Sequence, residues 1–446
     1  MSAPARTIIA RATPPGIGGI GVIRISGPES ARIAQGLTGH ILQPREAQAT
    51  AFRDPEGRTL DYGIAIFFKG PASYTGEDVL ELHCHGGPVI IDGLLAQVGA
   101  MGADLARPGE FTERAFLNGK LDLAQAEAVA DLINSQTDVA ARCALRSLRG
   151  DFSREIGDIS QFIAELRVII EANIDFSEEP VDDLSPVVLD GQLDRIKDSI
   201  LKLVDRARPG ELLSAGAQIV LFGAPNAGKS SLLNALAGSD HAIVSAIPGT
   251  TRDLIEVTID IGGAAVRIVD TAGLRPSGNE IEAEGVRRAE QAIGAADLLL
   301  EVIDDAEPAL CDPPLREEEG NDAVCVRVLN KIDISSRAGG RLEPEDGKPR
   351  VAISATQGLG LEQLIAVITE HLGCPGDLED VVLARRRHLD ALEQTLEHIT
   401  SAQAVNMPEL VAEELRLAQG ALGKITGEVT TEDLLGEIFS SFCIGK

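Results

Sequence analysis

The stretch GAPNAGKS, Gly223–Ser230, sets two glycines, a lysine and a serine at the spacing GxxxxGK[ST]. It follows the apolar run QIVLF (218–222) and opens the helical pattern SSLLNALAG (230–238). A strand, a Gly-rich turn and a helix start in that order turn backbone N–H groups toward one point, which is a phosphate site. Asn226, Ala227, Gly228, Lys229, Ser230 and Ser231 would line the phosphates, with Lys229 reaching the outer ones and Ser230 ligating Mg2+. Taken alone, a motif of this length also arises as an ordinary Gly-rich turn.

Four further stretches weigh against the ordinary turn. PGTTRD (248–253) offers Thr251 as a second Mg2+ ligand on a switch loop. VRIVDTAG (266–273) ends a strand pattern with Asp270, a water-mediated Mg2+ contact, followed by Thr271, Ala272 and Gly273, whose N–H can meet a γ-phosphate. VRVLNKID (326–333) supplies Asn330, Lys331 and Asp333. A carboxylate there can accept from guanine N1–H and N2–H2, a pair that adenine lacks. VAISA (351–355) then sets Ser354, Ala355 and the following Thr356 against the base. The order and the strand-end positions predict a GTP site.

The hydrolytic machinery is less direct. Leu274 directly follows DTAG, where Ras-like GTPases carry a water-orienting glutamine. Arg252 and Arg275 are candidates for a charge-neutralising finger, though solvated switch-loop arginines explain them equally. Asn226, inside the phosphate loop, and the segment SAIPGTT (Ser245, Ala246, Ile247, Pro248, Gly249, Thr250, Thr251) can together hold a monovalent cation where a finger's charge would go. Glu282 in NEIEAEG can accept from an attacking water, but acids are favoured at helix starts for other reasons.

These residues need elements to hold them. The 446 residues predict two to four domains. With 44 % hydrophobic and 24 % charged residues the chain reads as soluble and globular, and with 3 % aromatics and no Trp its cores must rest on Leu, Ile, Val and Ala. A net charge of −29 argues against a protein that wraps nucleic acid unaided. Six scattered cysteines without a CxxC pair fit a reducing, cytoplasmic setting. MSAPARTIIARATPPG lacks the apolar core of a signal peptide, and no apolar run spans a bilayer, so no membrane role is expected.

Three textures follow along the chain. Residues 1–120 are β-rich, with TIIARAT, GVIRIS, GIAIFF and DVLELHC as strand patterns. Residues 121–213 carry helical stripes in LDLAQAEAVADLINS and ISQFIAELRVIIEANI. Residues 214–378 repeat strand, loop and helix, and 379–446 turn helical again. The tail is too short for a core of its own. The expectation is therefore a multidomain α/β and α chain: a β-rich α+β N-terminal domain, a discontinuous helical domain, and an inserted Ras-like P-loop G domain hinged at RPGE (208–211) and GCPG (373–376).

At this point the chain resembles the MnmE (TrmE) family of bacterial tRNA-modification GTPases, in the TrmE-Era-EngA-like superfamily. The resemblance rests on ATPPGIGGIGVIRISG, SYTGEDVLELHCHGGP, RPGEFTERAFLNGKLDLAQAEAVADLI, the GTPase motifs, and LVAEELRLAQGALGKITGEVTTEDLLGEIFSSFCIGK, and spans the whole chain. It implies a K+-stimulated GTPase whose G domains approach each other across a constitutive homodimer. By position, Asn226, Ser245, Ile247 and Thr250 would bind K+, and Glu282 would orient the catalytic water. The family modifies carbon 5 of the wobble uridine of certain tRNAs with an FAD-binding partner, MnmG (GidA), in a heterotetramer or larger complex. The partner can supply the basic tRNA surface that this chain lacks. The one-carbon unit would come from 5-formyltetrahydrofolate or another tetrahydrofolate derivative bound in the N-terminal domain, with Arg24, Glu81, Lys120 and Lys446 at the folate site and Cys443 reaching toward it.

Other stretches invite weaker readings. GIGGIG (16–21) satisfies GxGxxG but precedes a strand pattern, so it is no dinucleotide fingerprint; by resemblance it shapes a folate turn. In HCH (83–85) His83 and His85 share a strand face, without the further ligands a metal site needs. CIGK (443–446) is no prenylation signal. RRR (385–387) is a dense basic run, read as solvated helix surface or as a contact for tRNA or the partner protein. Two rival functions remain: an Era-type ribosome-assembly GTPase, and a folate-dependent aminomethyltransferase with a regulatory G domain.

Overall fold

The computed structural model describes residues 6–175, 185–238, 243, 256–270, 287, 291–307, 323–373 and 380–445. The chain forms two compact units, one of residues 1–130, 148–161 and 419–446, the other of 131–147 and 162–418.

The first unit is built on a six-stranded sheet, β1 (Ile8–Arg11), β2 (Gly18–Ser26), β3 (Gln48–Arg53), β4 (Thr59–Phe68), β5 (Val79–Gly86) and β6 (Asp104–Leu105), in the order β3-β4-β5-β2-β1-β6. All pairs are antiparallel except β1 with β6. Alternation sorts the two faces. Ile23, Ile25, Leu80, Leu82 and Cys84 turn inward onto Ile33 and Leu37 of α1 (Ser30–Thr38) and Ile91, Leu94 and Val98 of α2 (Pro88–Ala100). Arg24, Glu81, His83 and His85 take the alternate positions and point to the other face. The end of the chain returns to this unit: α13 (Glu432–Ser440) packs on α3 (Glu110–Leu117), and Ile438, Phe439 and Phe442 cluster with Leu123, Ala126 and Ala130 of α4 (Leu123–Asn134).

The second unit holds a seven-stranded sheet, β7 (Ala217–Phe222), β8 (Glu256–Ile261), β9 (Ala264–Asp270), β10 (Leu298–Asp304), β11 (Val324–Asn330), β12 (Gly340–Glu345) and β13 (Lys348–Ala352). Its order is β12-β13-β11-β10-β7-β9-β8, with five inner strands parallel and both edge strands antiparallel to their neighbours. Near-continuous apolar strands such as LLLEVID suit a sheet covered on both faces. Leu232, Leu233 and Leu236 of α8 (Lys229–Ala237) and Leu364, Val367 and Ile368 of α10 (Leu361–Leu372) belong to its core. A short α9 (Ile332–Ser335) follows β11.

Among the described residues there are also helices α5 (Asp138–Leu148), α6 (Asp151–Asp175), α7 (Pro186–Ala215), α11 (Arg386–Ala404) and α12 (Pro408–Thr426). In α7 the buried Leu193, Ile196, Ile200, Leu203, Val204 and Ala207 recur at helical spacing and face α11. RPGE does not break the chain: α7 runs through Pro209 to Ala215, and Gly216 caps it immediately before β7. The reason is tertiary. Gly210 lies where a Cβ would meet Val382 O at 1.8 Å, so the missing side chain admits the 381–384 segment, and Arg206 holds the start of that segment, its Nε donating to Asp380 O and its carbonyl accepting the Val382 N–H. GCPG lies almost wholly outside the described residues.

Candidate nucleotide site

Among the described residues, the phosphate loop, Asp270 and Asn330 lie where parallel strands end, which is the ligand edge of an open α/β sheet. β7 ends at Phe222 and leads through the loop into α8, whose first residue is Lys229. Gly223 and Gly228 have φ of 142° and 95°, and Asn226 sits in the left-handed region at 64°. A Cβ on Gly223 would lie 2.2 Å from Val302 O, and one on Gly228 would lie 2.2 Å from Asn330 Nδ2. Both positions therefore require glycine twice over, by backbone angle and by space.

Lys229 is 7 % exposed and donates to the carbonyls of Gly223 and Ala224, each at 2.9 Å, which holds the ammonium over the loop. Ser230 Oγ donates to Asp270 Oδ2 at 3.0 Å. Asp270 ends β9 and is fully buried. A hydroxyl and a carboxylate brought together beside a phosphate loop are hard oxygen donors, so the residues present fit Mg2+.

The base side is equally organised. Asn330 ends β11, is 2 % exposed, and donates Nδ2–H to Ala227 O at 2.9 Å while its Oδ1 accepts the Ala355 N–H at 3.1 Å. It ties the phosphate loop to the base loop, a role the motif alone did not disclose. Ser354 is buried and donates to Asp333 Oδ1 at 2.6 Å, with Thr356 Oγ1 3.2 Å from the same hydroxyl. Lys331 takes φ 68° and pairs with Asp304 at 2.6 Å. Burial would raise the Asp304 pKa, but the Lys331 hydrogen bond and two backbone N–H groups outweigh it and hold the carboxyl below its ordinary 3.8. The Asp333 carboxylate is thus oriented on a rigid corner.

Ser245, Ala246, Ile247, Pro248, Gly249, Thr250, Thr251, Thr271, Ala272, Gly273, Glu282 and Lys446 lie outside the described residues, as do Arg252, Leu274 and Arg275.

In the first unit Arg24 and Glu81 are cross-strand partners on β2 and β5, joined Nε to Oε1 at 2.9 Å. The Arg24 guanidinium lies 5.5 Å from the Tyr74 ring centre and 5.9 Å from that of Phe111, and faces Gly445 O at 3.4 Å. The C-terminal tail is stitched in by a bridge of Ile444 with Pro108 and by the Gly109 N–H to Cys443 O. Cys443 is exposed. Lys120 donates to Pro71 O at 3.1 Å, on the loop that carries Tyr74. His83 lies 3.5 Å from Glu81, and His85 2.7 Å from Asp61. The basic run divides: Arg385 is half-buried and pairs with Asp131 at 2.7 Å, while Arg386 is exposed on the helix surface and pairs with Asp390 at 2.9 Å.

A phosphate loop opening α8, a buried acid on β9 and an Asn-Lys-x-Asp corner on a parallel sheet define a P-loop GTP-binding protein. The family models described as GTP-binding protein TrmE N-terminus and MnmE helical domain match residues 7–120 and 123–443. Three curated relatives are each named tRNA modification GTPase MnmE. That of Azoarcus sp. is 50 % identical, covering 99 % of this chain and 98 % of its own. That of Alkalilimnicola ehrlichii is 49 % identical, covering 99 % of each chain, and that of Methylococcus capsulatus is 48 % identical over the whole of both. The chain belongs to the MnmE family of tRNA modification GTPases. Among solved structures, the G domain of the T. maritima FeoB iron transporter aligns at 26 % identity over 35 % of this chain and 98 % of that one, with a TM-score of 0.26.

Proposed function

We propose that this protein hydrolyses GTP to drive modification of tRNA at carbon 5 of the wobble uridine. The observation that carries the nucleotide half is the Asn330 tie, which makes the phosphate loop and the guanine corner one rigid unit. In that unit the loop N–H groups and the α8 N-terminus receive the phosphates, and Lys229 turns from its carbonyls to the outer ones. Asp333 accepts from guanine N1–H and N2–H2 while Ser354 fixes its other face; adenine would set a lone pair against the carboxylate. Ser230 and Thr251 would hold Mg2+, with Asp270 acting through water; the ion supplies charge stabilisation on the transferring phosphoryl group.

The remaining steps rest on family resemblance. K+ held by Asn226, Ser245, Ile247 and Thr250 would supply the charge that a finger otherwise brings, and Glu282 would orient the water. The protein would work in the cytoplasm as a homodimer with an FAD-binding MnmG-type partner that contributes the tRNA surface. A tetrahydrofolate one-carbon derivative would sit by Arg24, Glu81, Lys120 and Lys446, with Cys443 nearby. Mass spectrometry of wobble nucleosides tests this. A strain without the gene should lose the modified uridine, and a strain carrying only a Lys229→Ala copy should lose it too. Unchanged nucleosides in both would overturn the reading.

A further inference from the structure

Strands β8 and β9 form a hairpin whose turn is Gly262–Gly263. In sequence it joins the two switch stretches. Where the hairpin opens, β9 delivers Asp270 to Ser230. At the turn, it is held by a residue from outside the sheet. Thr137, buried at 7 % exposure, donates Oγ1–H to Gly263 O at 2.6 Å, and the same oxygen accepts the Ala140 N–H at 3.1 Å. Thr137 therefore caps the start of α5 and clamps the turn with one hydroxyl. Val139 packs on the same point, since a Cβ on Gly263 would lie 2.9 Å from Val139 Cβ.

Two further observations bear on what the clamp does. The turn closes without it, because the Gly263 N–H donates to Asp260 Oδ1 at 2.8 Å. Removing the clamp should leave the hairpin intact. Beside the hairpin lies a cavity of about 670 Å³ lined in part by Ser135, Gln136, Thr258, Ala265, Arg267 and Asp297. The hairpin is thus pinned at its turn and bordered by open space along one flank. A hydrogen bond weakens steeply once its donor angle falls below about 120°. A shift of β9 that follows the Ser230–Asp270 contact would accordingly register first at Thr137 and then in the capped turn of α5.

We infer that Thr137 is the positioning residue through which the nucleotide state at Ser230 and Asp270 is passed to α5. The inference rests on GTP binding at that site and not on the tRNA reaction. Hydrogen exchange of α5 amides in the full-length protein tests it, with GDP or a non-hydrolysable GTP analogue bound in the presence of Mg2+. In the wild type, exchange over residues 138–148 should differ about tenfold between the two nucleotides, the scale of an ordinary coupling. Thr137→Ser keeps the hydroxyl and should keep the difference. Thr137→Val should lose it, with less than about a twofold residue, while nucleotide affinity stays within about threefold of wild type. Equal exchange in both nucleotides for the wild type would overturn the inference without any variant, and so would a Thr137→Val protein that retains the difference. Failure of the wild type to bind either nucleotide is read directly by titration, and would overturn the nucleotide reading and the coupling together.

Discussion

Asp333 and Cys84 show how differently two ionisable groups are used. Asp333 is exposed and oriented by Ser354, so its charge is available to a ligand. Asp333→Asn should weaken GTP binding by about 10- to 100-fold, the scale of a lost charge-assisted hydrogen bond. Affinity for xanthosine triphosphate, which accepts where guanine donates, should rise in the same titration. Undiminished GTP affinity would remove Asp333 from the base. Cys84 faces the core, and burial, reinforced by the negative charge of Asp61, pushes its thiol up from 9.0 to about 11. The folded chain thus keeps this proton where the unfolded chain releases it. The corresponding stability is complete below pH 9 and disappears as the pH rises through about 11. Urea unfolding at pH 8 and pH 10.5 should show a larger alkaline loss for wild type than for Cys84→Ala.

At the scale of elements, α7 depends on a residue that is absent as a side chain. Gly210→Ala would drive a methyl group into Val382 O, and should cost about 1–3 kcal/mol by overpacking. A variant with an unchanged melting temperature would show that the 381–384 segment moves aside freely. The same place shows the limit of reading by pattern. RPGE carries the local signals of a break, and only the partner segment, far along the chain, makes helix the better state. RRR is a similar case, since the acid that takes up Arg385 is Asp131, 254 residues away. By contrast β2, β5, α4 and α11 were legible because a period of two or of 3.6 residues is written in the apolar positions themselves.

For the whole molecule, the described nucleotide motifs were legible since the phosphate loop opens α8 and Asp270 and Asn330 end strands, so that order along the chain becomes proximity at one sheet edge. Asn330's bond to Ala227 and Thr137's bond to Gly263 were not, because both join loops whose approach is decided by the packing of entire elements. Arg24 and Glu81 are intermediate: alternation sets their face, but only the register brings them opposite each other. A net charge of −29 leaves phosphate recognition to local geometry. We propose that hydrolysis proceeds without a glutamine, by means of K+ and Glu282. The direct measurement is the GTP hydrolysis rate of wild type and Glu282→Ala, each in KCl and in NaCl at equal ionic strength. Wild type should be faster in KCl by a large factor, on the order of the 10³-fold that a charge-neutralising group contributes at its lower bound, and Glu282→Ala should be slow in both salts with GTP affinity retained. Equal wild-type rates in the two salts, or a Glu282→Ala protein as fast as wild type, would contradict it.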